Sequence, residues 1–287
     1  MTDHMKGLLI TGGGVLALTP DALFIKLSGL PAEAMFFWRG WLVGLMLLLP
    51  LVLVWGRQFL RNVMAIGRPG LLVALCYAVS TACFVAANTH TVAANVLVIV
   101  ATAPLWSALF SALILREATP PRTWAASIVA LVGVVIVGGD GISRQAGLGE
   151  LFAMGCAIFV SLSFVVIRSA RDVNMIPATA LGSFLVGIAG CFFYAAPVDA
   201  TGWQATLLGC VLFIPLAYMG LTIGPRYLTA SEVGLFLLLE TVIGPLWVWL
   251  AIAEAPGRAG LIGGAIILAA LIANTVLGLR RVRPASA

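Results

Sequence analysis

Apolar residues run along this chain in long continuous stretches, without the one-sided stripes or short alternations of a water-soluble fold. From Leu42 to Val54 no position carries a charged or hydrogen-bonding side chain. Crossing the hydrocarbon of a bilayer takes about 20 mostly apolar residues per helix. Ten such runs fit between Gly7 and Gly278. The pattern predicts helices over 7–27, 33–55, 66–87, 93–115, 121–138, 147–167, 176–196, 203–223, 229–251 and 258–278. Turn and charge signals separate them: Gly29–Leu30–Pro31, Arg57 to Arg68, Thr119–Pro120–Pro121, Gly138 to Gly141, Arg168 to Asn174, and Ala255–Pro256–Gly257. A transmembrane β-barrel would instead alternate apolar and polar positions in segments of about ten residues, which these runs exclude.

Composition agrees. Hydrophobic residues make up 62% of the 287 and charged residues 9%, where a soluble domain carries about 25% charged residues. The connections are short and leave no room for an extramembrane domain. The formal charge of +5 does not imply nucleic acid, because the basic residues sit in short loops and form no solvated domain. Their placement reports orientation instead, since lysine and arginine collect on the cytoplasmic side. With the N-terminus inside, twelve of them fall in cytoplasmic segments. Lys26, Arg144 and Arg258 fall outside, and Arg39 lies within a span. Both termini are therefore expected in the cytoplasm. Five cysteines, all in apolar runs and without a CxxC, make neither a disulfide framework nor a metal site. The leading MTDHMK precedes a run too long for a signal-peptide core, so the first helix is expected to remain.

Five helices per half is an odd number, so the second half enters the membrane upside down relative to the first. The expected fold class is an all-α membrane protein with ten transmembrane helices in two inverted five-helix repeats, 1–140 and 141–287. Inverted repeats are a transporter device, with substrate bound near the midplane between the halves. The internal sequence echo is faint. Aligning Ala93–Glu117 with Ala230–Glu254 matches the two helix-closing glutamates and little else.

Ionisable groups inside the bilayer are expensive, about 2.5–3.5 kcal/mol each on insertion scales, and mark functional sites by default. Glu240 lies halfway along the ninth helix with apolar neighbours on both sides. It reads either as a substrate-ammonium partner or proton site, or as a protonated carboxyl that fixes packing. Asp21 and Arg39 lie at matching depths in the first and second helices. They read as a structural or gating pair, or Arg39 faces a substrate carboxylate. On the third helix Tyr77, Ser80, Thr81, Phe84 and Asn88 follow i, i+3, i+4, i+7, i+11, one helical face. That stripe suits a cavity wall, or packing through small hydroxyls. His90 just beyond it and Tyr218 in the eighth helix are further candidates. Trp38 and Trp41, like Trp203, suit interfacial anchors.

Prolines 20, 104, 215 and 245 fall within spans, where each removes a backbone donor and bends its helix. The pairs Gly40/Gly44, Gly220/Gly224 and Gly260/Gly264 suit close helix contacts. The sequence carries no Walker A, HExxH or GxSxG motif. Two histidines cannot build a three-histidine metal site. No metal, cofactor or enzyme activity is expected.

The chain resembles the drug/metabolite transporter superfamily, in its ten-helix EamA-type branch. The resemblance covers essentially the whole length. It rests on the helix count, the inverted halves, Arg39, Glu117 and Glu254, and Ala94–Asn95 with Pro104–Leu105 in the fourth helix. In the second repeat the usual Glu–Pro pair stands as Glu240–Thr241 with proline displaced to Pro245, as in the run Leu239 to Trp249. That run is similar to the YddG-type amino-acid exporters. The resemblance implies a central cavity lined by helices one to four and six to nine, with five and ten at the periphery. It also implies export of amino acids, aromatic and neutral, by alternating access across a bacterial inner membrane. Glu240, Tyr77, Phe84, Trp38, Ser80 and Asn88 are then expected to meet substrate. A proton-coupled multidrug or organic-cation antiporter, with Asp21 or Glu240 exchanging proton for cation, is the competing expectation.

Overall fold

The structure, a computed structural model, describes residues 2–90, 93–117, 119–138, 147–192, 200–252 and 258–282. Ten helical spans follow one another. Helix α1 is Asp3–Ser28, α2 Ala32–Trp55 and α3 Gly67–His90. Helix α4 comprises Ala93–Val100 and Ala103–Phe110 with a π-helical end at Ser111–Leu115, and α5 is Pro121–Gly138. In the second half α6 is Leu148–Ser169 and α7 Ile176–Cys191. Helix α8 comprises Ala200–Leu207, Leu208–Phe213 and Ile214–Ile223, α9 is Ala230–Ile252 and α10 Arg258–Val282.

The prolines act locally as their chemistry dictates. Helix α1 breaks at Thr19–Pro20, between Asp3–Leu18 and Asp21–Ser28. The Thr19 hydroxyl donates back to Leu16 O at 2.8 Å there. Helix α4 breaks before Pro104, and Ser161 of α6 donates to Ala103 O at 2.9 Å, a neighbouring helix supplying a bond at the interruption. Pro215 opens the last segment of α8, directly after the π-helical stretch Leu208–Phe213. Pro50, inside α2 and facing outward, does not end its helix. The α9 backbone is helical through position 245, whose side chain lies outside the described residues. Arg57 to Arg68, expected as a plain connection, contains a short helix at Phe59–Met64 with Leu60 and Met64 exposed.

The packing has an internal two-fold. Helix α2 packs on α7, α4 on α9 and α5 on α10, so three pairs join a helix to its own counterpart five places on. The other main pairs come in matched sets: α3–α6 with α1–α8, α3–α7 with α2–α8, and α4–α6 with α1–α9. Exchanging helix i with helix i+5 leaves this pattern unchanged. Because five crossings separate the partners, the two members of each pair run oppositely through the membrane. The symmetry axis therefore lies in the membrane plane, and the halves are inverted repeats.

In lipid there is little hydrophobic force between helices, so close approach through small residues does much of the joining. A β-carbon at Gly40 would fall on the backbone of Gly187 in α7, and Gly44 lies under the Phe184 ring. Gly14 and Gly220 bring α1 against α8, and Gly224 faces Thr11. Packing around Gly260 and Gly264 lies outside the described residues. The outer surface is apolar: Leu53, Val54, Leu71, Leu113, Leu151 and Leu250 are all exposed. This is the belt that lipid covers.

Candidate functional site

Between the halves, beside the breaks in α1 and α4, lies a cavity of about 60 Å³. That exceeds the roughly 15 Å³ needed to admit a water molecule. Leu18 and Asp21 of α1, Arg39 of α2, and Tyr77, Ser80, Thr81 and Phe84 of α3 line it. Cys156 of α6, Tyr218 of α8 and Glu240 of α9 face them. The stripe expected on α3 thus forms a wall from Tyr77 to Phe84.

Asp21 and Arg39 form a bidentate ion pair, Nη1 to Oδ1 at 2.7 Å and Nη2 to Oδ2 at 2.8 Å. Both are nearly buried, 2% and 3% exposed. The break at Thr19–Pro20 is what places Asp21 in the first turn of a new helical segment. There its carboxylate also meets the positive end of the helix dipole. Arg39 Nη2 reaches on to the Tyr218 hydroxyl at 3.3 Å, which pairs with Thr81 Oγ1 at 2.9 Å. A second chain joins Tyr77 Oη to Thr222 Oγ1 at 3.4 Å and Thr222 Oγ1 to Thr179 Oγ1 of α7 at 2.8 Å. The rings of Tyr77 and Tyr218 meet edge to face, 5.4 Å between centres.

Eight buried side-chain polar atoms lack a hydrogen-bond partner among the described residues, and two of them, of opposite kind, belong to residues that line the cavity. Glu240 Oε1, an acceptor, and Arg39 Nε, a donor, have no hydrogen-bond partner among the described residues. Glu240 is 4% exposed. An unpartnered buried polar atom costs about 1–3 kcal/mol, more when charged.

The remaining sequence candidates stand elsewhere. Trp38 packs against Trp203 with ring centres 4.5 Å apart, and does not line the cavity. Asn88 turns back onto its own helix, Nδ2 to Phe84 O at 2.8 Å. His90 is exposed, its Nδ1 2.8 Å from Ala86 O and its ring beside Phe152. Helix α7, which the resemblance places in the cavity wall, stands one layer back and contributes Thr179 through Thr222. Thr179 and Thr222 escape a reading for charged or aromatic groups because a threonine in an apolar run is common. The signal available was the repetition of Tyr-x-x-x-Thr at Tyr77/Thr81 and Tyr218/Thr222.

On the membrane face that carries the N-terminus, polar bonds link the helix ends of both halves. Glu117, just past α4, pairs with Arg168 of α6 at 3.5 Å. Arg168 also donates to Arg226 O at 3.4 Å, and Arg226 Nε to Arg171 O at 2.6 Å. Arg122 of α5 pairs with Glu232 of α9 at 3.4 Å. Glu254, the counterpart expected for Glu117, lies outside the described residues.

Comparison with known proteins agrees with this architecture. The profile of the EamA-like transporter family matches residues 7–139 and again 147–276. Two curated relatives, each named an uncharacterized transporter, come from Helicobacter pylori strains ATCC 700392 / 26695 and J99 / ATCC 700824. They are 28% and 29% identical over 131 residues. Those alignments span 44% of this chain and 44% of each relative. A solved crystal structure superposes with a TM-score of 0.79 over 98% of this chain and 99% of that one, at 20% identity, which is a likeness of fold. With the family profile covering both five-helix halves, the chain belongs to the EamA-like transporter family.

Proposed function

We propose that this membrane transporter exports small zwitterionic metabolites, amino acids foremost, by alternating access, with the repeats 1–140 and 141–287 rocking about the central cavity. The observation that carries this reading is the pair of unpartnered buried atoms on the cavity-lining residues Glu240 and Arg39. An amino acid brings the matching groups: its ammonium donates to Glu240 Oε1, and its carboxylate accepts from Arg39 Nε. Tyr77, Phe84 and Tyr218 offer ring surface to an apolar or aromatic side chain. The excess of basic residues in alternate loops supports an inner-membrane protein with both termini cytoplasmic.

Export of organic cations in exchange for protons is the second reading. It is favoured by one feature, that both Arg39 Nη atoms are already engaged by Asp21. That leaves Glu240 as the acid in excess.

The test is counterflow of radiolabelled amino acids into proteoliposomes, wild type beside Glu240→Gln, at two external pH values. Saturable uptake by wild type and at least tenfold less by Glu240→Gln is expected. Uptake of no amino acid by folded protein in sealed vesicles, with accumulation of a lipophilic cation, would replace the first reading by the second. Wild-type rates in Glu240→Gln would remove that residue from the site.

A further inference from the structure

The two tyrosine–threonine contacts in the cavity are one device used twice. Tyr77 and Thr81 stand one turn apart on α3, and Tyr218 and Thr222 one turn apart on α8. These helices are counterparts in the two repeats, and the bonds between them are exchanged: Tyr77 with Thr222, Tyr218 with Thr81. The exchange follows from elementary helix geometry. A side chain leans toward the N-terminus of its own helix. Helices α3 and α8 cross the membrane in opposite directions. Each tyrosine therefore slants past the other, meets its ring edge to face, and lands on the opposite threonine.

Placement gives the device a role. Helices α3 and α8 share no extended backbone packing, so these side chains bridge the space between them. Above the struts the wall continues through Phe84 and Asp21, toward the face opposite the N-terminus. Below them Thr222 bonds Thr179, and nearer that face, at the helix ends, stands the arginine cluster around Arg168 and Arg226. The struts are the floor of the cavity. Tyr218 also accepts from Arg39 Nη2, so the floor is tied to the Asp21–Arg39 pair.

We propose that the reciprocal Tyr77–Thr222 and Tyr218–Thr81 bonds are a gate that closes the cavity toward the face carrying the N-terminus. Both bonds lie across the boundary between the repeats, so opening a path on that face parts α3 from α8 and breaks the two together. Symmetry makes the gate cooperative: a rocking motion that lengthens one strut lengthens the other. Tyr218 reports the state of the charged pair to the gate, because its hydroxyl serves both. This role does not depend on which solute the cavity takes.

Native cysteines allow a test without substrate. Cys156 lines the cavity, Cys210 is buried in the core, and Cys191 is exposed. A membrane-impermeant cationic thiol reagent is supplied to sealed vesicles from the face carrying the N-terminus, and modification at each cysteine is followed by peptide mass spectrometry. Tyr77→Phe and Tyr218→Phe each remove one strut and keep the ring. Cys156 modification is expected to rise about fivefold in each and about 25-fold in the pair, from the usual net worth of a buried hydrogen bond. Thr81→Val/Thr222→Val should reproduce the effect with both tyrosines intact, and Cys191, which ends α7 at the opposite face, should stay unmodified throughout as proof that the vesicles are sealed. A wild-type rate at Cys156 in the Tyr77→Phe/Tyr218→Phe protein would overturn the gate. So would a parallel rise at Cys210, which would mark general loosening instead of an opened floor.

Discussion

The buried Asp21–Arg39 pair offers the sharpest energetic prediction. Two hydrogen bonds of 2.7 and 2.8 Å hold opposite charges that are almost inaccessible. At a separation of about 4 Å between charge centres and an effective dielectric near 20, their attraction is about 4 kcal/mol. Asp21→Asn removes that attraction but leaves the guanidinium buried, where its desolvation cost is no longer offset. Breaking a buried pair in this way typically costs about 3–5 kcal/mol, whereas removing both members costs far less. The expected destabilisation of Asp21→Asn is therefore about 4 kcal/mol, and Arg39→Gln should be comparable. The protein with both changes should recover at least about 2 kcal/mol relative to the sum. Reversible unfolding in mixed micelles titrated with dodecyl sulfate, followed by tryptophan fluorescence, measures all four corners of the cycle. If Asp21→Asn lies within about 1 kcal/mol of wild type, or if the single costs simply add, the pair is not the buried, mutually dependent unit described here.

Two further substitutions test the scaffold. Thr229 caps α9 in a reciprocal box, its hydroxyl accepting from Glu232 N at 3.3 Å while Thr229 N donates to Glu232 Oε2 at 3.0 Å. Thr229→Ala should cost about 1 kcal/mol in the same unfolding assay, and no loss would show the cap to be dispensable. Gly40→Val should push α2 away from α7 and cost about 3 kcal/mol or more, seen as lost monodisperse protein on gel filtration. Gly13→Ala, with nothing within 4 Å of the added carbon, should leave the elution profile unchanged.

Much of the candidate site was legible from residue chemistry alone, because an ionisable group in an apolar span is rare and the spacing of polar residues fixes a helical face. Asp21, Arg39, Glu240 and the stripe from Tyr77 to Phe84 all reach the cavity for that reason. The same logic carried too far at both ends. Asn88 continues the stripe in register but lies beyond the cavity, and Trp38, one residue from Arg39, points to Trp203 instead. A residue's helical face is local information, whereas how far a cavity extends along that face depends on where the opposing helix approaches.

Hydrophobicity and the odd helix count by themselves determined ten spans, their rough limits and the inversion of the halves. A bilayer permits few other ways to satisfy the backbone of such a chain. Charge placement added an expected orientation. Only the tertiary structure decided which polar groups meet. It joined Asp21 to Arg39 across two helices, left Glu240 Oε1 and Arg39 Nε without partners among the described residues, and turned two unremarked threonines into the far ends of a reciprocal brace. Such pairings join residues far apart in the chain, 179 positions for Arg39 and Tyr218. They depend on the angles and offsets at which helices pack, set by small-residue contacts such as Gly14 on Gly220 and Gly40 on Gly187. A helix encodes its own faces in its sequence, but the neighbour that each face will find is a property of the assembled bundle.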